Sequence, residues 1–308
     1  MSADAEPEPE LVRVRVPAKI NLALRVGPRS EDGYHPLVNV FQAVSLFDDV
    51  TAETAPAGEV GLQLVGEQPG VPADEDNLAV RAARLLAAEH GDPGLGVRLT
   101  LRKTIPVAGG MAGGSADAAG ALLACSVLWD LDVQPDQLTA LAARLGADVP
   151  FALLGGTAIG TGRGDVLAPV LSRGTFHWVL ALSAQGLSTP RVFARFDELS
   201  TPAEEPLEVP DALMEALRTG RADALAGVVG NDLQAAALDL RPDLADVLER
   251  GRRLGALAAL VSGSGPTCAF LCAEESAAID VSTKLGREPA VHAVRRVHGP
   301  VEGARLIS

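Results

Sequence analysis

The chain has 308 residues, 47% of them hydrophobic, enough to bury a sizeable core and to divide into two domains. Its 40 acidic and 26 basic residues give a net charge of −14, which excludes a broad nucleic-acid or membrane-surface field and requires a local positive site for any anionic ligand. Three cysteines, Cys125, Cys268 and Cys272, make no disulfide framework and read as small buried hydrophobes; with no apolar run near the ~18 residues of a membrane span, a soluble cytoplasmic protein is expected.

Residues 1–10 carry Asp4, Glu6, Glu8 and Glu10 between Ala and Pro and read as a disordered acidic tail, without the basic and apolar segments of a secretory leader. Leu11 to Val16 alternates apolar and basic residues as a half-exposed strand does, and Ile20 to Val26 continues extended. Arg29 to Gly33 is a polar turn, and Asn39 to Phe47 a further strand. Asp76 and Asn77 cap a helical pattern that runs to Glu89, with Leu78, Leu85 and Leu86 on its apolar side. Gly96 to Lys103 alternates again. Ser115 is the expected N-cap of a small-residue helix over Ala118 to Leu131, and Gln137 to Leu145 is a helix closed by Gly146 at C′.

The segment from Ala168 to Thr175 is the expected boundary between an N-terminal domain (11–170) and a C-terminal one (171–308). Beyond it, strands are expected over His177–Leu182, Ala258–Ser262, Thr267–Cys272 and Val291–Val297. Helices are expected over Asp211–Leu217, Ala222–Val229, Asp243–Leu254 and Glu275–Leu285. Merging the central helices gives βαββαβ, the ferredoxin-like split order.

Five segments carry chemistry. In Pro17-Ala18-Lys19-Ile20-Asn21-Leu22 a lysine interrupts an apolar strand; read alone, it is a surface lysine whose stem covers apolar neighbours. Asp32-Gly33-Tyr34-His35 holds the single tyrosine of the chain, either a stacking platform or a loop packed on its own domain. The most informative run is Ile105 to Ala119, IPVAGGMAGGSADAA, in which a proline closes a strand, four glycines fall within six residues and an apolar helix opens. Glycine permits φ > 0 and close approach of backbone to ligand, and a helix N-terminus offers unpaired N–H groups and its dipole, so the run suits a polyphosphate. A tight turn is the bland alternative. The run lacks the Gly-Lys-Ser/Thr ending of a P-loop, and it does not open the first βα unit with an acidic residue about 20 positions on, as a dinucleotide fold requires. In Gly146-Ala147-Asp148-Val149-Pro150-Phe151 the carboxylate is either a turn former or a partly buried base. Ser262-Gly263-Ser264-Gly265-Pro266-Thr267 is a second glycine-serine bend, by itself a hairpin loop.

In this order, the five segments resemble the GHMP kinase superfamily of galactokinase, homoserine kinase, mevalonate kinase and phosphomevalonate kinase. PAKINL, DGYH and ADVPF resemble in particular its 4-diphosphocytidyl-2-C-methyl-D-erythritol kinase branch. The resemblance implies a two-domain α+β fold, with an N-terminal mixed βα domain carrying the Gly-rich phosphate loop and a C-terminal ferredoxin-like βαββαβ domain. It implies ATP as co-substrate with Mg²⁺, and transfer to the 2-hydroxyl of 4-diphosphocytidyl-2-C-methyl-D-erythritol. No nucleic-acid or membrane partner is expected.

The resemblance also carries roles to residues. Lys19 and Asp148 would be catalytic. ATP contacts fall to Asn77, to Pro106, Val107, Ala108, Gly109, Gly110, Met111, Ala112, Gly113, Gly114, Ser115 and Ala116, and to Gly263 and Gly265, with Ser115 the hydroxyl on the metal side. Asn21 would bind the erythritol part, Tyr34 and Phe193 would sandwich the cytosine, His35 would read its edge and Thr189 would meet the ribose. The chain departs from the pattern once: Met111-Ala112-Gly113-Gly114-Ser115 stands where Leu-Gly-Gly-Gly-Ser is usual, and the methyl group of Ala112 is expected to fit if φ stays negative. Intact Lys19, Asp148 and Ser115 argue against a binding-only member of the fold. DGYH with Thr189 and Phe193 argues against a homoserine or mevalonate acceptor.

Overall fold

The computed structural model describes residues 10–66, 70–200 and 207–308, so the acidic tail up to residue 9 lies outside the described residues. The N-terminal part runs β1 (Leu11–Val26), β2 (Leu37–Thr54), β3 (Val60–Val65), α1 (Leu78–His90), β4 (Val97–Arg102), α2 (Gly113–Leu128), α3 (Pro135–Leu145), α4 (Val149–Leu154), β5 (Thr157–Thr161) and β6 (Val166–Pro169). Then come β7 (Phe176–Leu182), α5 (Thr189–Leu199), α6 (Asp211–Thr219), α7 (Ala222–Ala226), β8 (Gly230–Asn231), α8 (Gln234–Leu240) and α9 (Asp243–Arg253). The chain closes with β9 (Ala258–Val261), β10 (Cys268–Cys272), α10 (Glu275–Leu285), β11 (Ala293–Gly299) and β12 (Arg305–Ile307).

Two sheets result. The first has the order β12-β1-β2-β4-β3, with β5 on β2, β6 on β5 and β8 on β1. The second has the order β11-β7-β10-β9, all antiparallel. In chain order it is βαββαβ, with its fourth strand beside its first and its third beside its second, the expected ferredoxin-like arrangement. Strands up to Pro169 join the first sheet and those from Phe176 the second, apart from β8 and β12, which return to β1. We propose that the domain division falls in the segment between.

The two stretches read as separate strands near the N-terminus are one strand, β1, interrupted by register shifts between Pro17 and Ala18 and between Asn21 and Ala23. Proline has no N–H for the ladder, so the first irregularity falls where the sequence places Pro17. Lys19 and Asn21, two residues apart on a strand, share one face.

The helix after the glycine run starts earlier than its sequence suggests. Gly113 opens α2, Ala112 is its cap without a side-chain bond, and Ser115 is the third helical residue rather than the N-cap. Ala112 sits at φ 60, in the left-handed region, against the expectation of negative φ. A Cβ there costs of order 1 kcal/mol relative to glycine, a strain the surrounding loop holds in place. α3 likewise starts at Pro135, which suits the first helical position, and Gly146 ends it in extended backbone at φ 169 rather than a left-handed turn. α4, α5 and α8 were not legible as helices, being short or polar around one narrow apolar stripe.

α2 is buried nearly all round, as its alanines, glycines and Cys125 predict. It lies against β1 and β2 so closely that a Cβ on Gly120 would come within 2.5 Å of Val50 Cγ2 and 2.9 Å of Val16 Cγ2. That approach sets the height of the Gly-rich loop above the sheet. Gly120→Val is expected to destabilise the protein by about 1–3 kcal/mol through overpacking, read as a lower urea midpoint; an unchanged midpoint would show that the helix can lift without cost.

Candidate active site

The loop between β4 and α2 turns through Ala108 (φ 50), Gly110 (φ 74) and Ala112 (φ 60). Gly110 leaves no room for a side chain: an added Cβ would stand 2.1 Å from the carbonyl oxygen of Ser262 in the β9–β10 bend. The Ser262 hydroxyl donates to the Gly110 carbonyl at 3.2 Å, so the two glycine-rich bends meet. Asn231 holds the second bend from behind, donating to the carbonyls of Val261 (2.8 Å) and Gly263 (2.7 Å). From Val107 through Ser115, no backbone N–H has a hydrogen-bond partner among the described residues. Buried N–H groups are rarely left unpaired, and a concave row of them at a helix start is an anion site.

Both ends of this loop are tied to one lysine. Lys103 Nζ, nearly buried, donates to Asp48 at 2.5 Å, to Asp117 at 2.6 Å and to the Gly113 carbonyl at 3.0 Å. Asp48 also accepts from the N–H groups of Thr104 (2.5 Å) and Ile105 (2.9 Å). Asp117 Oδ1 is buried without a hydrogen-bond partner among the described residues. Burial pushes the Asp117 carboxyl up to about 7; Lys103 opposes the rise and the charge of Asp48 adds to it.

A cleft of about 380 Å³ opens on the loop. Its walls include Pro106, Ala108, Gly109, Gly110, Ala112, Gly113 and Gly114 on one side, and Lys19, Asn21, Asn39, Phe41 and Asp148 on another. Lys19 Nζ donates to Asn21 Oδ1 at 2.9 Å, and Asn21 Nδ2 to Asn39 Oδ1 at 3.0 Å. The ammonium lies 5.3 Å from the centre of the Phe41 ring and 3.8 Å from Asp148 Oδ2. That last distance is an ion pair without a hydrogen bond. Asp148 starts α4, yet its side chain makes no cap bond, so among the described residues the carboxylate, 34% exposed, is held only by Lys19.

A second cavity, of about 630 Å³, adjoins the first and is lined by Tyr34, His35, Thr189, Phe193, Asp197 and the end of α3. His35 stacks on Phe193 with centroids 5.4 Å apart. Its Nδ1 meets the Gly27 carbonyl at 2.8 Å and its Nε2 meets Asp197 at 3.1 Å. Both ring nitrogens are thus occupied, while the backbone N–H and C=O of His35 have no partner among the described residues. Tyr34 is exposed, with the guanidinium of Arg163 3.7 Å from its ring centre.

The sequence matches the family models for the GHMP kinases N terminal domain over residues 77–156 and the GHMP kinases C terminal over residues 213–291. It is 54% identical over 300 residues to a 4-diphosphocytidyl-2-C-methyl-D-erythritol kinase of Mycolicibacterium smegmatis, covering 96% of this chain and 92% of that protein. The corresponding kinase of Thermobifida fusca is 53% identical, with 97% and 99% covered. The chain belongs to the 4-diphosphocytidyl-2-C-methyl-D-erythritol kinase family. A crystal structure of a 4-(cytidine 5′-diphospho)-2C-methyl-D-erythritol kinase superposes with a TM-score of 0.75 at 36% identity, over 92% of this chain and 98% of the other. A homoserine kinase from Cytophaga hutchinsonii, at 17% identity and a TM-score of 0.76, shares the fold.

As a member of this kinase family, the protein is an ATP-dependent small-molecule kinase of GHMP fold. Among the described residues no helix is long and apolar enough to cross a membrane. The three cysteines are free and buried, and burial raises all three thiols above their ordinary range.

Most of the residues expected at the site meet in these cavities, but several do not line them. Met111 is fully buried in the core and contributes its carbonyl, which accepts from Lys19 N at 3.4 Å. Ser115, Ala116 and Gly265 also line neither cavity, and Val107 lines only the smaller one described next. Asn77 lines a smaller cavity of about 220 Å³ on the far side of the loop, together with Pro72, Leu78, Lys103 and Asp117. It spends its side chain on protein, accepting from Ala79 N (2.9 Å) and donating to the Pro72 carbonyl (2.7 Å). Asp48, Lys103, Asp117, Asn39 and Arg163 escaped the sequence reading. The one local signal among them is Arg163, set between two glycines in Gly162-Arg163-Gly164.

Folded Asp117 keeps its proton to about pH 7, whereas the carboxyl of an unfolded chain releases it near 3.8. Between those values the folded state binds the extra proton, so this contribution to stability is complete below about pH 4 and is lost as pH rises through about 7. Asp117→Asn is therefore expected to flatten the fall in melting temperature between pH 5 and pH 8; an unchanged slope would remove Asp117 as its source.

Proposed function

We propose that the protein transfers the γ-phosphoryl group of ATP to the 2-hydroxyl of 4-diphosphocytidyl-2-C-methyl-D-erythritol, giving the 2-phosphate and ADP. The observation that carries this reading is a pair of adjoining cavities with shared walls. The loop of unpaired N–H groups and the Lys19–Asp148 pair line the first, and aromatic residues line the second. A linear acceptor with a polyol at one end and a nucleoside at the other suits that shape.

Phosphoryl transfer demands positioning and charge stabilisation more than covalent participation. In our reading the N–H groups of the loop receive the phosphates, with Gly263 of the second bend beside them. Asn77 and its cavity serve the adenosine end. The acceptor oxygen attacks the γ-phosphorus, the bond from that phosphorus to the β–γ bridging oxygen breaks, and the hydroxyl proton passes to Asp148. A carboxylate not engaged as a helix cap is available for that proton. Lys19 orients the hydroxyl and offsets charge on the transferring group. Asn21, fixed between Lys19 and Asn39, holds the erythritol.

The described residues contain no group of three or more His, Cys, Asp and Glu suited to a metal. Mg²⁺ fits as an ion carried on the nucleotide phosphates, whose charge it would neutralise, with the Ser115 hydroxyl, in the first turn of α2, as the loop's candidate side chain. Tyr34 and Phe193, which both line the aromatic cavity, suit a flat base such as cytosine, and the unused N–H and C=O of His35 offer the donor and acceptor that its pairing edge requires. The His35 ring, held at both nitrogens, acts as support for Phe193. Thr189, whose hydroxyl lies 2.7 Å from that of Ser264, faces the ribose. A cytoplasmic location accords with three unpaired thiols.

ADP release should be specific to the diphosphocytidyl substrate over homoserine and mevalonate; turnover with homoserine alone would overturn the reading. Asp148→Asn is expected to fold and bind ATP while kcat falls at least about 100-fold. Tyr34→Ala should raise the KM for the cytidine substrate about tenfold and leave the KM for ATP unmoved. Equal shifts in both would remove the stacking role.

A further inference from the structure

The acceptor proposed above carries a diphosphate between its two ends, and nothing so far receives it. Five residues line both the loop cleft and the aromatic cavity: Leu37, Ala147, Arg163, Thr189 and Phe193. Arg163 is the charged one. It stands at the tip of the β5–β6 turn, whose backbone is pinned to the cleft: the Gly162 carbonyl accepts from Leu37 N at 2.8 Å, and Gly164 N donates to the Thr161 carbonyl at 2.9 Å. A Cβ on Gly164 would lie 3.4 Å from Asn39 Nδ2 and 3.5 Å from the Phe41 ring. The turn therefore rests on the same residues that support Asn21 and Lys19.

The present partners of the guanidinium are weak ones. It faces the Tyr34 ring and pairs with Asp32 at 3.1 Å, and both ion-pair partners are about half in water, 53% and 54% exposed. An ion pair so exposed contributes little, whereas a guanidinium meets phosphate oxygens through two parallel charge-assisted hydrogen bonds. In a chain of net charge −14, a doubly anionic bridge needs a local cation at this seam. Lys19 is already committed to Asn21 and Asp148, and Lys103 is buried under the loop.

The geometry points to Arg163 as the residue that binds the diphosphate of the acceptor substrate, exchanging Asp32 for it; the assignment rests on the functional reading given above. A base that takes the guanidinium's place on Tyr34 turns the side chain towards the phosphates that follow the nucleoside. Arg163 is a binding and specificity residue, selecting a nucleoside diphosphate ester over a neutral or monophosphate one.

The test is equilibrium binding of cytidine, CMP and CDP to the full-length protein and to Arg163→Ala and Arg163→Lys. The wild type should bind CDP about tenfold or more tightly than cytidine, as charge-assisted contacts predict. Arg163→Ala should lose most of that gain while cytidine binding stays within about twofold, and Arg163→Lys should keep part of it. CDP binding that survives Arg163→Ala unchanged overturns the assignment. So does equal weakening of cytidine and CDP, which would mean that the arginine only props the Tyr34 ring. A wild type that turns over the diphosphocytidyl substrate yet binds CDP no better than cytidine overturns the assignment alone. A wild type that neither binds the cytidine series nor turns over that substrate overturns the functional reading with it.

Discussion

The buried ammonium of Lys103 is the contact on which the phosphate loop depends. It joins the end of β4 to Asp48 on β2, to Asp117 on α2 and to the first carbonyl of that helix. The loop is thereby fixed at both ends, leaving its N–H groups to face outward. Two carboxylates around one ammonium leave an excess of negative charge beneath the loop. Burial and the charge of Asp48 raise the Asp117 carboxyl, which favours its neutral form and lessens that excess. Such a triad is costly to bury and weak evidence for stability, so its value lies in the geometry it specifies.

That geometry is shared between two sheets. The loop belongs to the first sheet, but Gly110 is seated against Ser262, in a bend of the second. Gly186, just after β7, would bring a Cβ within 2.8 Å of Ala108 Cβ. The row of unpaired N–H groups is thus clamped from below by side chains and from one flank by backbone. This explains how Ala108 and Ala112 remain left-handed without being glycine: the neighbours determine the path and the strain is of order 1 kcal/mol at each.

What the sequence reveals follows the range of the interactions involved. Local chemistry was legible: Asn77 caps α1 through Ala79 N, the strand ends at the Pro106 run, and the Ser262–Thr267 bend joins two antiparallel strands. The order of motifs along the chain gave the fold and most of the cleft. Contacts of long separation were not legible. Asp48, Lys103 and Asp117 are ordinary charges in a charged chain until the sheet brings them together, and β12 pairs with β1 across nearly the whole sequence. Nor does the sequence show that both ring nitrogens of His35 are held, by the Gly27 carbonyl and by Asp197. The start of α2 was misplaced because a serine is a better cap by propensity than Ala112; tertiary constraint on the loop outweighs that preference.

The same constraint orders the rest of the cleft. Lys19 and Asn21 share a face because strand period is two, and the bulge beyond Asn21 aims that face at the loop. Asp148 arrives from the opposite side, on a short helix that takes nothing from its carboxylate. The 3.8 Å gap between lysine and carboxylate is too long for them to satisfy each other and short enough for a hydroxyl to contact both. A pair in direct hydrogen bond would be closed to a third group. At this separation the wall of the cleft opposite the loop presents a cation and an anion side by side, each with hydrogen-bonding capacity left over.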